Sequence, residues 1–537
     1  MTTDGSSSSK NTPHPSKKEP DSEPHCSPPD LDFNPQVFLV GAGPGHPGLL
    51  TLRAVECLGM ADYVLYDKRV PESFLEHAPP EAEKLCVSEL ATSHKDSYLP
   101  IHETMRAVVN QGKRLVRLKG GDPFIFGRGG EEAEFLRQEG ISFEVVPGVT
   151  AAVGATACTG IPLTHRAYAS SLALVTGHEH PDKPESIVDW AKLANFEGTI
   201  VVYMGLSRLG YIAKTLVANG KSPTTPGAVI QWGTTGHQIT VQASLEKLPD
   251  KAQKAGLISP ALVVIGEVVG LRPNVSWFES RPLFGKRILV TRPRKQALEF
   301  AHRLEMLGAI PFVLPMVDIR ELDDYSEVDK AIAELRSYDW LVFTSPNGVG
   351  AFLRRIWQLG KDMRALANVQ IAVIGPGTEK ALRRYHLNAD FISPVHRSEE
   401  FAEALKPIVQ GQRVLLARAN RGRDVLPQEL SLVASTVKQI AVYNQVDDID
   451  QHSDIMNKLR CGEIGYVTLT SENIARVFCQ ALDEICRGRI ENEIVKLVTI
   501  SPTTSAKVRE FQLPIAAEAK TYTMDGVIAA LIRLVRE

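Results

Sequence analysis

Two glycine pairs separated by aromatic residues, in LVRLKGGDPFIFGRGGEE from Leu115, are the part of this sequence best arranged to do chemistry on a ligand. An apolar run ends in Gly120-Gly121-Asp122-Pro123, and Gly127-Arg128-Gly129-Gly130 leads into Glu131-Glu132, which reads as strand, loop, helix. Glycines at a strand end let a ligand reach backbone N–H and C=O groups that a Cβ would shield, and the N-terminus of the following helix favours negative charge. A lone Gly-Gly would equally suit an ordinary strand-to-helix connection, but this loop is too long and too glycine-rich for that. Asp67 closes a second apolar run, Tyr63-Val64-Leu65-Tyr66. It falls where α/β sheets present functional groups, with a helix cap as the alternative role.

These residues need elements to hold them. Order is expected to begin at the strand Gln36–Val40, followed by Gly41-Ala42-Gly43-Pro44-Gly45-His46-Pro47-Gly48 and a helix. His46 stands where a dinucleotide fingerprint needs its third glycine, and two prolines stiffen the loop, which argues against NAD. Phe143–Val146 reads as a strand, Pro147-Gly148 as a turn, and the following Ala/Gly-rich segment as a helix that permits close approach. Further strands are expected at 171–177, 198–205, 226–234 and 260–269, alternating with helices.

Taken together, the loops at 41–48, 120–132 and 147–166 resemble the tetrapyrrole methylases, specifically uroporphyrinogen-III C-methyltransferases, over about residues 36–278. The resemblance implies S-adenosylmethionine as methyl donor, with Pro44, Gly120, Gly121, Asp122, Ile125, Thr150, Ala151, Met204, Gly233 and Ala261 lining it. It implies Asp67 as the group that stabilises or deprotonates the pyrrole nitrogen, and Arg117, Arg128 and Arg166 as forked donors to the substrate's carboxylates. One departure stands out: Glu89 occupies the place of a lysine proposed as proton donor in the family, and Lys95 nearby is either a substitute or an ordinary exposed loop lysine.

After the connector at 272–286 the pattern restarts. Strand-to-helix junctions recur at Thr291-Arg292-Pro293, Thr344-Ser345-Pro346, Gly375-Pro376, Thr470-Ser471 and Ser501-Pro502-Thr503, with hydroxyl or small residues suited to capping. Four of them, those opening at WLVFTSPN, TLTSEN, IAVIGPG and VTISPTT, imply two doubly wound α/β lobes. In order they resemble uroporphyrinogen-III synthases. That resemblance implies a chain crossing twice between lobes, lobe one at about 287–317 and 441–537 and lobe two at about 318–440, with Thr291, Arg292, Ser345, Arg418, Ser471 and Thr503 binding the linear tetrapyrrole and Tyr443 facing the cleft, either as proton donor to the departing hydroxyl or as an interlobe packing residue. The expected fold is therefore α/β throughout: a two-subdomain tetrapyrrole methylase fold (35–278), a linker (279–286) and a two-lobed doubly wound α/β synthase fold (287–537). The expected function is cyclisation of hydroxymethylbilane to uroporphyrinogen III and its double methylation to precorrin-2. Two alternatives stay open: a related S-adenosylmethionine fold with another substrate, and a C-terminal half that senses tetrapyrrole without turning it over.

Composition bounds the rest. A chain of 537 residues with 43% hydrophobic content suits three or four domains of roughly 150 residues each. With 60 basic and 63 acidic residues there is no overall basic excess to hold nucleic acid or an anionic membrane. The seven cysteines show no CxxC and no metal-ligand spacing, which predicts free thiols, no metal and a cytoplasmic setting. Residues 1–34 are polar enough to be read as a disordered tail. Tetrapyrroles are the expected partners, and whether the methyltransferase half is a monomer or a homodimer stays open.

Overall fold

The computed structural model describes residues 34–90, 99–177, 188–393, 398–422, 424–448 and 453–537. The expected tail, apart from Asn34, and Lys95 lie outside the described residues.

Strands β1 (Val37–Gly41), β2 (Tyr63–Tyr66), β3 (Glu83–Cys86), β4 (Leu115–Lys119) and β5 (Phe143–Val146) form a five-stranded sheet in the order β3-β2-β4-β1-β5. All pairings are parallel. The continuous apolar run of β1 is buried at every position because helices cover both faces, as parallel sheets require. The parallel arrangement also brings the C-terminal ends of β1, β2 and β4 together, and with them Gly43, Asp67 and Gly120.

The second sheet contains β6 (Leu172–Thr176), β7 (Thr199–Tyr203), β8 (Pro226–Gln231), β9 (Ile239–Ser244) and β10 (Ala261–Ile265), in the order β6-β7-β10-β8-β9. The expectation of regular strand–helix alternation fails here. Strand β9 returns directly beside β8, and β10 is antiparallel to both of its neighbours. ITVQAS carries few large apolar side chains and gave no strand signal, yet as an edge strand it needs only one partner.

The C-terminal half has two lobes, as expected. Strands β11 (Arg287–Val290), β12 (Ile310–Val313), β19 (Tyr466–Leu469), β20 (Lys496–Thr499) and β21 (Ala517–Glu518) form one sheet in the order β12-β11-β19-β20-β21. Strands β13 (Val317–Arg320), β14 (Trp340–Phe343), β15 (Gln370–Val373), β16 (Phe391–Ile392), β17 (Arg413–Ala419) and β18 (Thr436–Asp447) form the other, in the order β13-β18-β17-β14-β15-β16. The boundary expected near residue 440 falls inside β18, which pairs along its length with β17 and β13. The second crossing therefore follows Asp447, and it lies beside the first, where Asp448 N–H donates to Met316 C=O at 3.0 Å.

The stretch expected as a linker is packed. Leu283 is 0% exposed and shares a core with Ile288, Phe300 and Leu304 of the C-terminal half.

Candidate active site

Asp67 follows β2 and lies beside the end of β4, where it meets a buried charge cluster. Arg117 Nη2 donates to Asp67 Oδ1 at 2.5 Å and the Gly120 N–H donates to Oδ2 at 3.2 Å. Behind it, Glu132 Oε1 accepts from Arg117 Nε at 3.1 Å and from Lys119 Nζ at 2.7 Å. Arg117, Lys119 and Glu132 are 2%, 2% and 0% exposed. Burial works against the Asp67 charge, but the Arg117 and Lys119 cations and the two hydrogen bonds outweigh it and hold the carboxyl below the usual range. Burial, reinforced by Arg117, pushes the Lys119 ammonium down. The outcome is a carboxylate that stays ionised at a strand end, its other side half-open. Arg117 is thus not a substrate donor: its guanidinium is spent on Asp67 and Glu132 inside the fold. Arg128 and Arg166 are exposed, with Arg128 bridged to Glu131 at 3.0 Å.

The glycine loop differs in mechanism from the expectation. Gly121 N–H donates to Gly43 C=O at 2.8 Å and Gly121 C=O accepts from Gly43 N–H at 3.1 Å, so both of its polar groups serve the neighbouring loop. Gly121 sits at φ 72°, and a Cβ there would find its nearest atoms, in Thr150 and Ala151, only at 4.0 Å. Conformation, not space, demands glycine. Crowding does act at Gly148, where a Cβ would stand 2.2 Å from Gly121 O. Asp122 is a clamp between loops: its carboxylate accepts from Phe124 N–H at 2.8 Å and from Gly148 N–H at 3.0 Å.

Tyr203, which carried no sequence signal, completes this wall. Its hydroxyl lies 2.5 Å from Thr150 Oγ1, accepts from Ala152 N–H at 2.9 Å, and its ring stands 4.8 Å from that of Phe126. Thr150 and Ala151 therefore open the helix Ala151–Thr159 beside the end of β7. Met204 follows at φ 52° and 44% exposed, Trp232 at φ 52° and 47% exposed, and Ile125 is 36% exposed. Gly233 is seated against Ala155 of the same helix, Pro44 packs on Gly154, and Ala261 opens β10 opposite Gln231. Phe126, Tyr203 and the start of the helix at Thr150 thus meet between the two sheets, with Pro44 and Gly233 against the same helix. Glu89 is exposed in the short turn Val87–Glu89.

In the C-terminal half, Ser345 and Ser471 cap the helices Pro346–Gln358 and Glu472–Ala481, accepting from Gly348 N–H at 3.1 Å and Ile474 N–H at 3.2 Å. The cap of Pro502–Glu510 is Ser501, with the Thr503 hydroxyl 3.1 Å from its own. Thr291 does not face a ligand: it is 0% exposed and its hydroxyl donates to Thr468 C=O at 2.6 Å, inside the sheet. Arg418 is 7% exposed, with Nη1 donating to Gln439 Oε1 at 3.2 Å. Arg292 reaches Gln296 Oε1 at 2.6 Å, and Gln296 Nε2 in turn donates across the lobes to Asn347 Oδ1 at 2.9 Å. Tyr443 is on β18 in lobe two, its hydroxyl 3.2 Å from Ser345 Oγ, and burial pushes its phenol up, so it keeps its proton at neutral pH.

The chain thus joins a parallel sheet whose glycine loops lie beside an ionised carboxylate to a mixed sheet and then to a two-lobed α/β unit. Residues 36–249 match the family described as Tetrapyrrole (Corrin/Porphyrin) Methylases, and residues 299–529 match Uroporphyrinogen-III synthase HemD. The chain is 34% identical over 500 residues, 93% of its length and 98% of the relative's, to the porphyrin biosynthesis protein HemD of Ruminiclostridium josui. It is 35% identical over 377 residues, 70% of its length and 75% of the relative's, to the uroporphyrinogen-III C-methyltransferase of Bacillus subtilis (strain 168). A crystal structure of uroporphyrin-III C-methyl transferase from Thermus thermophilus complexed with S-adenyl homocysteine is 39% identical, covering 44% of this chain and 93% of that one, at a TM-score of 0.37. The chain belongs to this family of porphyrin-biosynthesis enzymes, with a methyltransferase half and a synthase half in one polypeptide. Among the described residues no helix is long and apolar enough to cross a membrane, no group of His, Cys, Asp and Glu is placed to hold a metal, and six cysteines are free.

Proposed function

We propose that the C-terminal half cyclises hydroxymethylbilane to uroporphyrinogen III and that the N-terminal half methylates this product twice with S-adenosylmethionine, giving precorrin-2 on the way to sirohaem or cobalamin-type products. One observation supports the reading: the C-terminal half matches a family named for making uroporphyrinogen III, and a relative that shares the N-terminal half is named for methylating it. Bound S-adenosylmethionine would supply an electrophilic methyl group. Pro44, Thr150, Ala151, Met204 and Gly233 would hold it, and Asp67 would meet the positive charge that develops on a pyrrole nitrogen as its ring carbon is methylated. In the synthase cleft, helix N-termini at Ser345 and Ser471 would bind the carboxylates of the linear substrate. Orientation of an intrinsically reactive substrate would then do most of the work.

The test is the product isomer. Hydroxymethylbilane closes unaided to the isomer that keeps ring order, so type III product reports a working synthase half. Incubated with hydroxymethylbilane alone, the chain should give uroporphyrinogen III; with S-adenosylmethionine added, a dimethylated type III product. Uninverted isomer only, with tetrapyrrole still bound, would replace the synthase by a sensing module.

Two further outcomes follow from the geometry. Tyr443→Phe should slow cyclisation roughly tenfold, less than the 10²-fold usual for a positioned acid, because orientation dominates. Methylation by the same variant should be unchanged; single-turnover cyclisation checks both. Gly121→Val places a β-branched residue at φ 72°, a strain of order 1–3 kcal/mol that opens the Gly43–Gly121 pairing. Calorimetric S-adenosylmethionine affinity should fall about tenfold or more while the synthase half keeps its activity.

A further inference from the structure

The loop 232–238, between β8 and β9, holds a backbone conformation that its residue types resist. Trp232 and Thr234 flank Gly233 at φ 52° and 75°, in the left-handed region that such residues occupy only when their surroundings over-determine it. A relay of hydrogen bonds does so. Thr234 N–H donates to Gln238 Oε1 at 3.0 Å, and Gln238 Nε2 donates to Glu279 Oε1 at 2.9 Å. Glu279 also accepts from Thr240 Oγ1 at 2.9 Å and, through Oε2, from Arg272 Nη2 at 2.6 Å. Thr234 and Gln238 are 0% and 4% exposed, so water does not offer them alternatives.

The direction of every bond in the relay follows from one charge. An ionised carboxylate only accepts, so Gln238 must turn its NH₂ toward Glu279, which leaves its oxygen for Thr234. The far end of the relay is Gly233, seated on the helix that Thr150 and Ala151 open. We infer that Glu279, in the stretch between the two halves, is a positioning residue for the cofactor, acting through Gln238 on the Trp232–Thr234 turn. This rests on the S-adenosylmethionine reading of the methylase half.

The test titrates S-adenosylhomocysteine into the full chain by calorimetry and measures methylation kinetics on the same variants. Glu279→Gln has the same size but adds a donor. Arg272 would claim the new amide oxygen, the NH₂ would face Gln238, and the flipped Gln238 amide would then set N–H against the Thr234 N–H. Affinity should drop about tenfold, with KM for S-adenosylmethionine rising equally and kcat within about twofold. The swap Gln238→Glu with Glu279→Gln restores an acceptor facing Thr234 and should return affinity to within about threefold of the parent chain. A packing role would leave both variants unchanged. Parent-like affinity in Glu279→Gln, or a swap as weak as the single variant, overturns the inference. So does a parallel loss of synthase turnover, which would mean that Glu279 holds the whole chain together. A parent chain that does not bind S-adenosylhomocysteine removes the underlying reading as well.

Discussion

Methylation turnover should fall by roughly 10²-fold or more when Asp67 is replaced by asparagine, with little change in cofactor affinity. The side chain keeps its size, but the charge that would face the developing pyrrole cation is gone, and the amide NH₂ cannot accept one of the two bonds that Arg117 and Gly120 donate. The wild-type group is held ionised by Arg117 at 2.5 Å and by Lys119 behind it, against the opposing effect of burial. The sign of the pH effect follows. A carboxyl whose folded pKa is depressed keeps its charge until pH falls through that depressed value, below the ~3.9 of an ordinary aspartate. Asp67 should therefore contribute no acid limb to methylation between about pH 8 and 5. Turnover within about threefold of wild type in Asp67→Asn would reduce Asp67 to a cap for the Gly120 N–H.

Glu132→Leu should be the most destabilising single change in the methylase half, by about 3–5 kcal/mol. In the wild type Arg117 and Lys119 are balanced by Asp67 and Glu132, and Glu132 is fully buried between the two cations. Leucine fills the volume and leaves one positive charge unmatched. At 2–4 °C per kcal/mol for a domain of this size, the methylase transition should melt on the order of 10 °C lower in calorimetry. Lys119 offers a partial escape, because burial and Arg117 already push its ammonium down and shedding the proton removes the excess charge. A base with a depressed folded pKa costs stability below that pKa and recovers it as pH rises toward the unfolded value, ~10.4. The deficit of Glu132→Leu should accordingly shrink as pH rises toward that unfolded value. A melting shift under about 2 °C would show that the cluster is solvated.

The sequence was most informative where backbone demands special residues. The glycine loop after β4, the strand-end position of Asp67 and the hydroxyl caps at Ser345 and Ser471 were all readable, because φ > 0, strand ends and helix N-termini each select a narrow set of side chains. Charge was least readable. Arg117 in LVRLK is expected to donate to the substrate's carboxylates, since nothing local says that Glu132, fifteen residues on, will lie under it. Thr291 misled in the same way: a hydroxyl before a helix suggests a ligand, but only the pairing of β11 with β19 shows that the Thr468 carbonyl takes it.

Sequence by itself determined the main strand-to-helix junctions, the two-half organisation and the family, because these depend on local periodicity, turn residues and motifs along the chain. Tertiary structure alone decided that Arg117 is a positioning cation and not a substrate clamp, that Tyr203 buttresses Thr150, that the second lobe crossing follows Asp447, and that Glu279 reaches the turn at Gly233. Each of these is a contact between residues far apart in the chain, and its energy comes from a burial and a partner that no local window contains.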